Sequence, residues 1–570
     1  MKPVNSGTSE TRGQQGTENG NARFGALLQK SGKDDSGPGR RKCASNRPST
    51  PPTMQPTSTQ PKPANPWQQD SITQLQNVLQ QLLQVLNGIV EITFPGGGAA
   101  DLSQASTDPG QPLRRLLPSA YADGKDAPAG EDRPGAREIS NAVSATTGDK
   151  GNKADASDMF WLWGQFLDHD IDLSKTGDTA MEIPVPADDQ TFEPGSTLET
   201  KRSNSTPNIF GVSQQINEIT ALIDGSNVYG SDAETTDSLR EMSGGRLILQ
   251  EDGTLPSDER QFYRAGDERV NENIGLTSMH TMFAREHNRL ADQFATDNPT
   301  WTDDQIFEAA RGRVVGQLQS ITVNEFLPIL LGNDGLGEYS GPVEGLDAQV
   351  SNVFAAAAYR FGHSMVSDQI TPIDENGEAM DSIALKDAFF NPEQFSETGI
   401  DAIIRGMSSN EAQAMDTEIV DSLRNFVLDG PFSPRLDLAA LNIERGRDHG
   451  LPTLNDARRA FGFEPITSFD DPAFRDGVGE RLASVYDSPD DIDMWVGLLA
   501  EKPTGDALVG PTQEVILRDQ FTRLRDGDAN WYANIQPADV VAEIDSTSLS
   551  DIIERNTNVA GLSDTAMVVA

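Results

Sequence analysis

Six segments of this chain repeat apolar residues at the period of an α-helix: residues 155–172, 275–296, 303–330, 349–366, 399–428 and 511–526. Stripes of that length must bury one face against other helices. The two-residue alternation of a strand is rare and short, as in RLILQ at 246–250. The pattern predicts a mainly α fold: one large helical domain over residues 113–566 with few short strands and no internal repeat. Of 570 residues 36 % are hydrophobic, enough apolar material for a sizeable core.

Residues 1–70 break the pattern. They are rich in Gly, Ser, Thr, Pro, Gln and Asn, with a basic knot at Arg40–Lys42. Such a composition cannot offset its conformational entropy by burial, so a disordered tail is expected. Residues 71–112 read as an amphipathic helix, capped by Ser71 and striped by Ile72, Leu75, Leu79, Leu82 and Leu86, followed by a Gly- and Pro-rich linker. With 45 Lys+Arg against 88 Asp+Glu the formal charge is −43. That field repels phosphate backbones and anionic lipid, so no nucleic-acid partner is expected. No run approaches 18 uninterrupted apolar residues, so no membrane span is expected. The lone Cys43 can form neither an internal disulfide nor a CxxC site. The first twenty residues carry no apolar run, so a cleavable secretory signal is not expected.

Imidazole chemistry must come from five histidines: His169, His280, His287, His363 and His449. In DMFWLWGQFLDHDIDLS (158–174), Gln165, Asp168, His169 and Asp172 share one helical face beside Phe160, Trp163, Leu167 and Ile171. Asp170 lies about 140° around the helix from Gln165 and points elsewhere. In NEITALIDGSNVYGSD (217–232), Thr220, the Leu222 carbonyl, Asp224 and Ser226 offer oxygen at every second residue, with Gly225 for a bend, a pattern suited to calcium. A third segment sets Arg269 and Glu272 three apart, a fourth puts His363 late in a small-residue stretch, and a fifth supplies Asn442, Arg445 and Arg447.

The strings WGQFLDHD, DGSNVYGSD, LTSMHTMFAREHNRLA, YRFGHS and NIERGRDHGLPTLNDAR, in this order, resemble the animal-type haem peroxidases of the peroxidase–cyclooxygenase superfamily, bacterial peroxidasin-like members included. The likeness covers roughly residues 113 to 566. It implies haem b and calcium as cofactors. His169 matches the distal base, Arg269 the distal cation and Gln165 the distal glutamine. His363 matches the proximal iron ligand and Asn442 the amide that orients it. Asp168 and Glu272 match the carboxylates that esterify the haem, and Arg360 and Arg445 the propionate partners. Asp170, Thr220, Leu222, Asp224 and Ser226 match the structural calcium site, which gives Asp170 the direction the helix geometry required. His280, His287 and His449 fall outside that reactive set and are expected to be hydrogen-bonded structural residues.

The resemblance also implies the reaction: hydrogen peroxide is reduced, and a ferryl intermediate oxidises iodide, bromide, thiocyanate or small phenols. Residue 273 is Asn where chlorinating members carry a haem-linked Met, so that linkage is impossible and efficient chloride oxidation is not expected. Fatty-acid oxygenases of the superfamily place a tyrosine three residues before the proximal histidine; here that residue is Arg360. A haem-free, calcium-stabilised adhesion protein is the alternative of another class. Peroxide chemistry and calcium suggest an extracellular location reached without a cleavable signal, with the cytoplasm as the alternative. The sequence leaves the oligomeric state open.

Overall fold

A computed structural model describes residues 107–426 and 435–569. The tail, the amphipathic helix and most of the linker expected at the N-terminus therefore lie outside the described residues. Residues 107–112, which the sequence assigns to the linker, join the domain: Gln111–Pro112 (β1) pairs with Ser213–Asn217, and the Ala221 amide donates to the Thr107 carbonyl at 2.9 Å.

The fold is mainly α, as the periodicity predicts. Its principal helices are α1 (Ala136–Val143), α2 (Asp158–Ile171), α3 (Ile274–Asp297), α4 (Asp303–Leu331), α5 (Ile400–Ser409), α6 (Leu438–Asp448), α7 (Pro511–Asp526) and α8 (Leu549–Asn556). α3 packs against α2, α4, α5 and α8, and α6 crosses α1. The centre is aromatic: Phe166 stacks on Phe283 at 5.1 Å between ring centroids, and Phe160 meets Phe326 at 4.9 Å. Ring pairs at such separations add specific attraction to the burial of their area.

α4 meets by length and composition the test that no uninterrupted apolar run in the sequence meets. It is long and apolar enough to cross a membrane, with mean hydropathy 1.2, although 67 % of that window is buried inside the protein. A one-turn π-helix at Thr322–Phe326 interrupts it and turns Phe326 onto Phe160.

Two helical readings are shortened. The segment 349–366 splits into Asn352–Ala356 and a 3₁₀ turn at Ala358–Ser364, because Ala357 leaves the helix at φ −143°, ψ −62°. The segment 399–428 stops at Ser409: Asn410 is extended, and its carbonyl accepts from the Asp158 amide at 2.9 Å. RLILQ forms only an isolated bridge between Leu247 and Arg240. The longest strands instead make a hairpin, β2 (Thr176–Pro184) with β3 (Thr197–Ser203), pairing Ile183 with Leu198. Ser205–Pro207 (β4) and Ser213–Asn217 (β5) complete a small three-stranded sheet in the order β1-β5-β4.

Candidate active site

The C-terminal half of α2 is held by the segment 217–232. Asn217 Nδ2 donates to the Ile171 carbonyl at 2.8 Å while its Oδ1 accepts from the Leu173 amide at 2.9 Å, and Asn227 Nδ2 donates to the Phe166 carbonyl at 2.7 Å. These bonds satisfy carbonyls that a helix end leaves open. They also fix the rotation of α2, which decides where three consecutive residues point.

Gln165, Asp168 and His169 face a cavity of about 330 Å³ that is also lined by Arg269, Glu272, Asn273, Arg360 and His363. Asp172, expected on the same face, caps the helix instead with extended backbone and is buried. Asp170 turns away, as the helix geometry requires. Its Oδ2 accepts from the Gly225 amide at 3.1 Å and its Oδ1 from Ser226 Oγ at 2.9 Å.

The 266–273 segment brings Arg269 and Glu272 against α2. Gly266 makes that approach feasible, since a Cβ there would overlap the Ser226 carbonyl. Arg269 is tied to Asp267 by two hydrogen bonds of 2.9 Å, Nε to Oδ1 and Nη2 to Oδ2, and Nη2 donates to the Asp172 carbonyl at 3.0 Å. Burial works against an ionised Asp267, yet the Arg269 guanidinium holds it well below the usual carboxylate range. Sequence reading missed Asp267. The available signal was an acid two residues before a candidate catalytic arginine, a spacing that means little until the loop is folded.

His169 sits between these groups. Its Nδ1 is 3.7 Å from Asp267 Oδ1 and has no hydrogen-bond partner, and its Nε2 is 3.7 Å from Glu272 Oε2. Burial and then the Arg269 charge push its pKa well below the ordinary histidine value, so the ring is neutral at physiological pH. Gln165 Nε2 donates to Glu272 Oε2 at 2.9 Å, and Asn273 Nδ2 donates to Gln165 Oε1 at 2.9 Å while Asn273 Oδ1 caps α3 through the Leu276 amide. Asn273, noted in the sequence only for what it is not, thus orients the glutamine. Burial raises Asp168 and Glu272 each to about 7. Arg269 Nη1 lies 3.6 Å from Asp168 Oδ2.

The 3₁₀ turn carrying His363 and, through Leu438 and Leu441, the helix α6 line the same cavity, and α6 also carries Asn442. The Asn442 amide Nδ2 meets His363 Nδ1 at 2.8 Å, and Arg360 Nη1 donates to Asn442 Oδ1 at 3.3 Å. Burial, then Arg360, lowers the His363 pKa to about 3, which keeps its ring neutral. α6 is anchored at its start: Asp437 caps it through the Ala440 amide at 3.1 Å and pairs with buried Arg137 at 2.6 Å. Arg445 does not line the cavity. Its Nη1 donates to Ser203 Oγ at 2.8 Å and pairs with Asp448 at 3.2 Å.

Behind α2, Thr220 Oγ1 donates to Asp224 Oδ1 at 3.1 Å, and Leu222 is half-buried between them in the loop. Burial and then Asp224 push Asp170 well above the usual carboxylate range, and burial raises Asp224 as well. Among the described residues no three His, Cys, Asp or Glu side chains converge as a metal group. The contacts among these residues bring two carboxylates and two hydroxyls together.

The remaining histidines divide. His287 contacts Tyr229 Oη at 2.9 Å and the Gly245 carbonyl at 2.8 Å, and His449 contacts Ser203 Oγ at 2.8 Å and Asn352 Oδ1 at 3.2 Å, so both are structural as expected. His280 departs from that expectation: neither ring nitrogen has a hydrogen-bond partner, and the ring packs edge-on to Phe166 at 4.9 Å.

Comparison with known proteins gives this cavity a chemical context. Peroxinectin A of Dictyostelium discoideum is 36 % identical over 457 residues, covering 75 % of this chain and 86 % of the relative. The human peroxidasin homologue is 32 % identical over 518 residues, of which this chain spans only 35 % of the length. The solved structure of peroxidase A from Dictyostelium discoideum superposes with a TM-score of 0.76 at 33 % identity, covering 81 % of this chain and 96 % of that one. A fatty acid α-dioxygenase of Arabidopsis thaliana shares the fold, with a TM-score of 0.69 at 22 % identity. Residues 103–567 match the family model for animal haem peroxidases, and with the neutral imidazoles of His169 and His363 lining one cavity, the chain belongs to that family and is a haem peroxidase.

Proposed function

We propose that the cavity reduces hydrogen peroxide with His169 as the proton carrier and Arg269 as the fixed cation, and passes the oxidising equivalents to iodide, bromide, thiocyanate or small phenols. The observation that carries this reading is the neutral, buried His169 beside an arginine locked by Asp267. A neutral imidazole accepts a proton from peroxide and returns it to the departing oxygen. The Arg269 cation favours the negative charge that develops as the O–O bond breaks, and the pair with Asp267 holds it in place beforehand.

The residues present fit haem. His363 would be the iron ligand through Nε2. A half-turn of the Asn442 amide presents Oδ1 to Nδ1–H, the arrangement that frees the Nε2 lone pair. Arg360 would meet a propionate, and Asp168 and Glu272, half-buried and with their carboxyls raised to about 7, would be the ester-forming carboxylates. Bound haem supplies the redox-active iron. Asn273 leaves no sulfur for a third linkage, so chloride is a poor donor in this reading. The oxygen-only set of Asp170, Thr220, Leu222 carbonyl, Asp224 and Ser226 fits calcium, whose charge would keep both carboxylates ionised despite burial.

The test is His169→Ala in the haem-loaded protein. Haem should stay bound while the peroxide-dependent spectral change slows by about 10²–10⁴-fold; an unaltered rate refutes the assignment.

A further inference from the structure

Trp161 forms part of the cavity wall and is only 5 % exposed. Its Nε1–H donates at 2.8 Å to Oδ1 of Asp158, the first residue of α2. The same oxygen accepts from Ser367 Oγ at 3.1 Å. Asp158 is 2 % exposed, and no lysine or arginine among the described residues pairs with it. Burial without a cation pushes its carboxyl up to about 7. A buried carboxylate with only two neutral donors is expensive to keep, and a neutral acceptor would satisfy an indole N–H equally well.

The neighbouring tryptophans lack such an acceptor. Trp163 Nε1 has no hydrogen-bond partner, and Trp495 Nε1 reaches only the Arg360 carbonyl at 3.4 Å. A carbonyl cannot take up a proton at neutral pH, whereas a carboxylate can. Asp158 becomes a paired charge at one moment only, when the indole beside it has lost an electron. Its other neighbour, Ser367, is half-buried and is followed by exposed Asp368, so the pair bridges the cavity wall and the surface.

We propose that Trp161 is a redox relay, through which peroxide-derived oxidising equivalents leave the cavity for phenols carried on macromolecules too large to enter it. The inference rests on peroxidase chemistry in the cavity. One electron passes from the indole to the oxidised centre in the cavity, and the Nε1 proton passes to Asp158. A phenol at the Ser367–Asp368 surface then gives one electron to the indolyl radical and its own proton to water, becoming a phenoxyl radical. The Asp158 proton returns to Nε1. Two such passages per peroxide yield two phenoxyl radicals and two waters.

The experiment mixes the haem-loaded full chain with one equivalent of hydrogen peroxide, freezes it on the millisecond scale and records electron paramagnetic resonance. Expected is an organic radical whose signal narrows when the protein contains indole-deuterated tryptophan and disappears in Trp161→Phe, but survives Trp163→Phe and Trp495→Phe. Oxidation of a dextran-coupled phenol should fall at least tenfold in Trp161→Phe. Asp158→Asn preserves volume and guards against a folding defect; with its Soret band intact, its radical yield should drop about tenfold, and an unchanged yield overturns the role of the carboxylate. A tryptophan signal undiminished by Trp161→Phe, or peroxide consumed with no tryptophan radical, overturns the relay alone. A wild-type protein that consumes no peroxide overturns the cavity chemistry as well.

Discussion

Asp267→Asn isolates the placement of Arg269 from its charge. The substitution keeps the volume of a residue that is 4 % exposed. Asparagine can accept only one of the two 2.9 Å hydrogen bonds from the guanidinium, and its amide sets N–H against N–H at the other. Each charge-assisted bond contributes roughly 1.5–3 kcal/mol, and removing one member of a buried ion pair costs about 3–5 kcal/mol. The released arginine has another attraction within reach, since Asp168 Oδ2 is 3.6 Å from Nη1. A displacement of about 1 Å in a catalytic group lowers a rate by about 10²-fold. That is close to the loss on removing one donor from a developing charge, about 10²–10³-fold. The expected result is a fall of about 10²-fold in the second-order rate of reaction with hydrogen peroxide, followed by stopped-flow absorbance in the Soret region, with haem content unchanged. A rate within threefold of wild type would refute the argument that Asp267 positions the cation.

Glu325, in the π-turn of α4, has one carboxylate oxygen without a partner, and burial raises its pKa from 4.5 to about 7. The folded state therefore favours the neutral form: the penalty is absent below the unfolded value, grows as pH rises and is complete above about 7. Glu325→Gln should stabilise the protein by up to roughly 3 kcal/mol at about pH 8 and change little at about pH 4, checked by urea midpoints; equal effects at both would rule out the titration. Chelation with EGTA should lower the midpoint of thermal unfolding and slow the peroxide reaction, because Asp170 follows His169 directly, and added calcium should restore both. Acid–acetone should extract haem from Asp168→Val with Glu272→Gln but not from the unaltered protein; extraction from the latter would show that the esters do not form.

The long helices were legible because each carries an amphipathic stripe longer than any turn can mimic. α2, α3 and α7 fall within a few residues of the expected segments. The face shared by Gln165, Asp168 and His169, and the opposite heading of Asp170, followed from 100° per residue alone. The alanine run before His363 misled because a stretch without large side chains has no preferred face, so a single residue such as Ala357 can leave the helix at little cost. The β2–β3 hairpin was hidden for a related reason: its residues are largely exposed, and the buried alternation in β2 is confined to Met181 and Ile183, too short to stand out. Asp267 and the diversion of Arg445 to Ser203 depend on contacts between segments distant in sequence, which no local pattern encodes.

Asp168, His169 and Asp170 are neighbours on one turn of helix, yet each serves a different clientele: the pocket wall beside Arg269, the gap between Asp267 and Glu272, and the oxygen-lined loop behind. Adding or deleting a residue anywhere between Ser157 and this triplet would swing all three by about 100° at once, sending each to the wrong address. Lineages of this chain should therefore tolerate length variation in the exposed hairpin but accept only same-length exchanges along α2, and grafting the triplet onto another scaffold would require carrying the 217–232 loop with it.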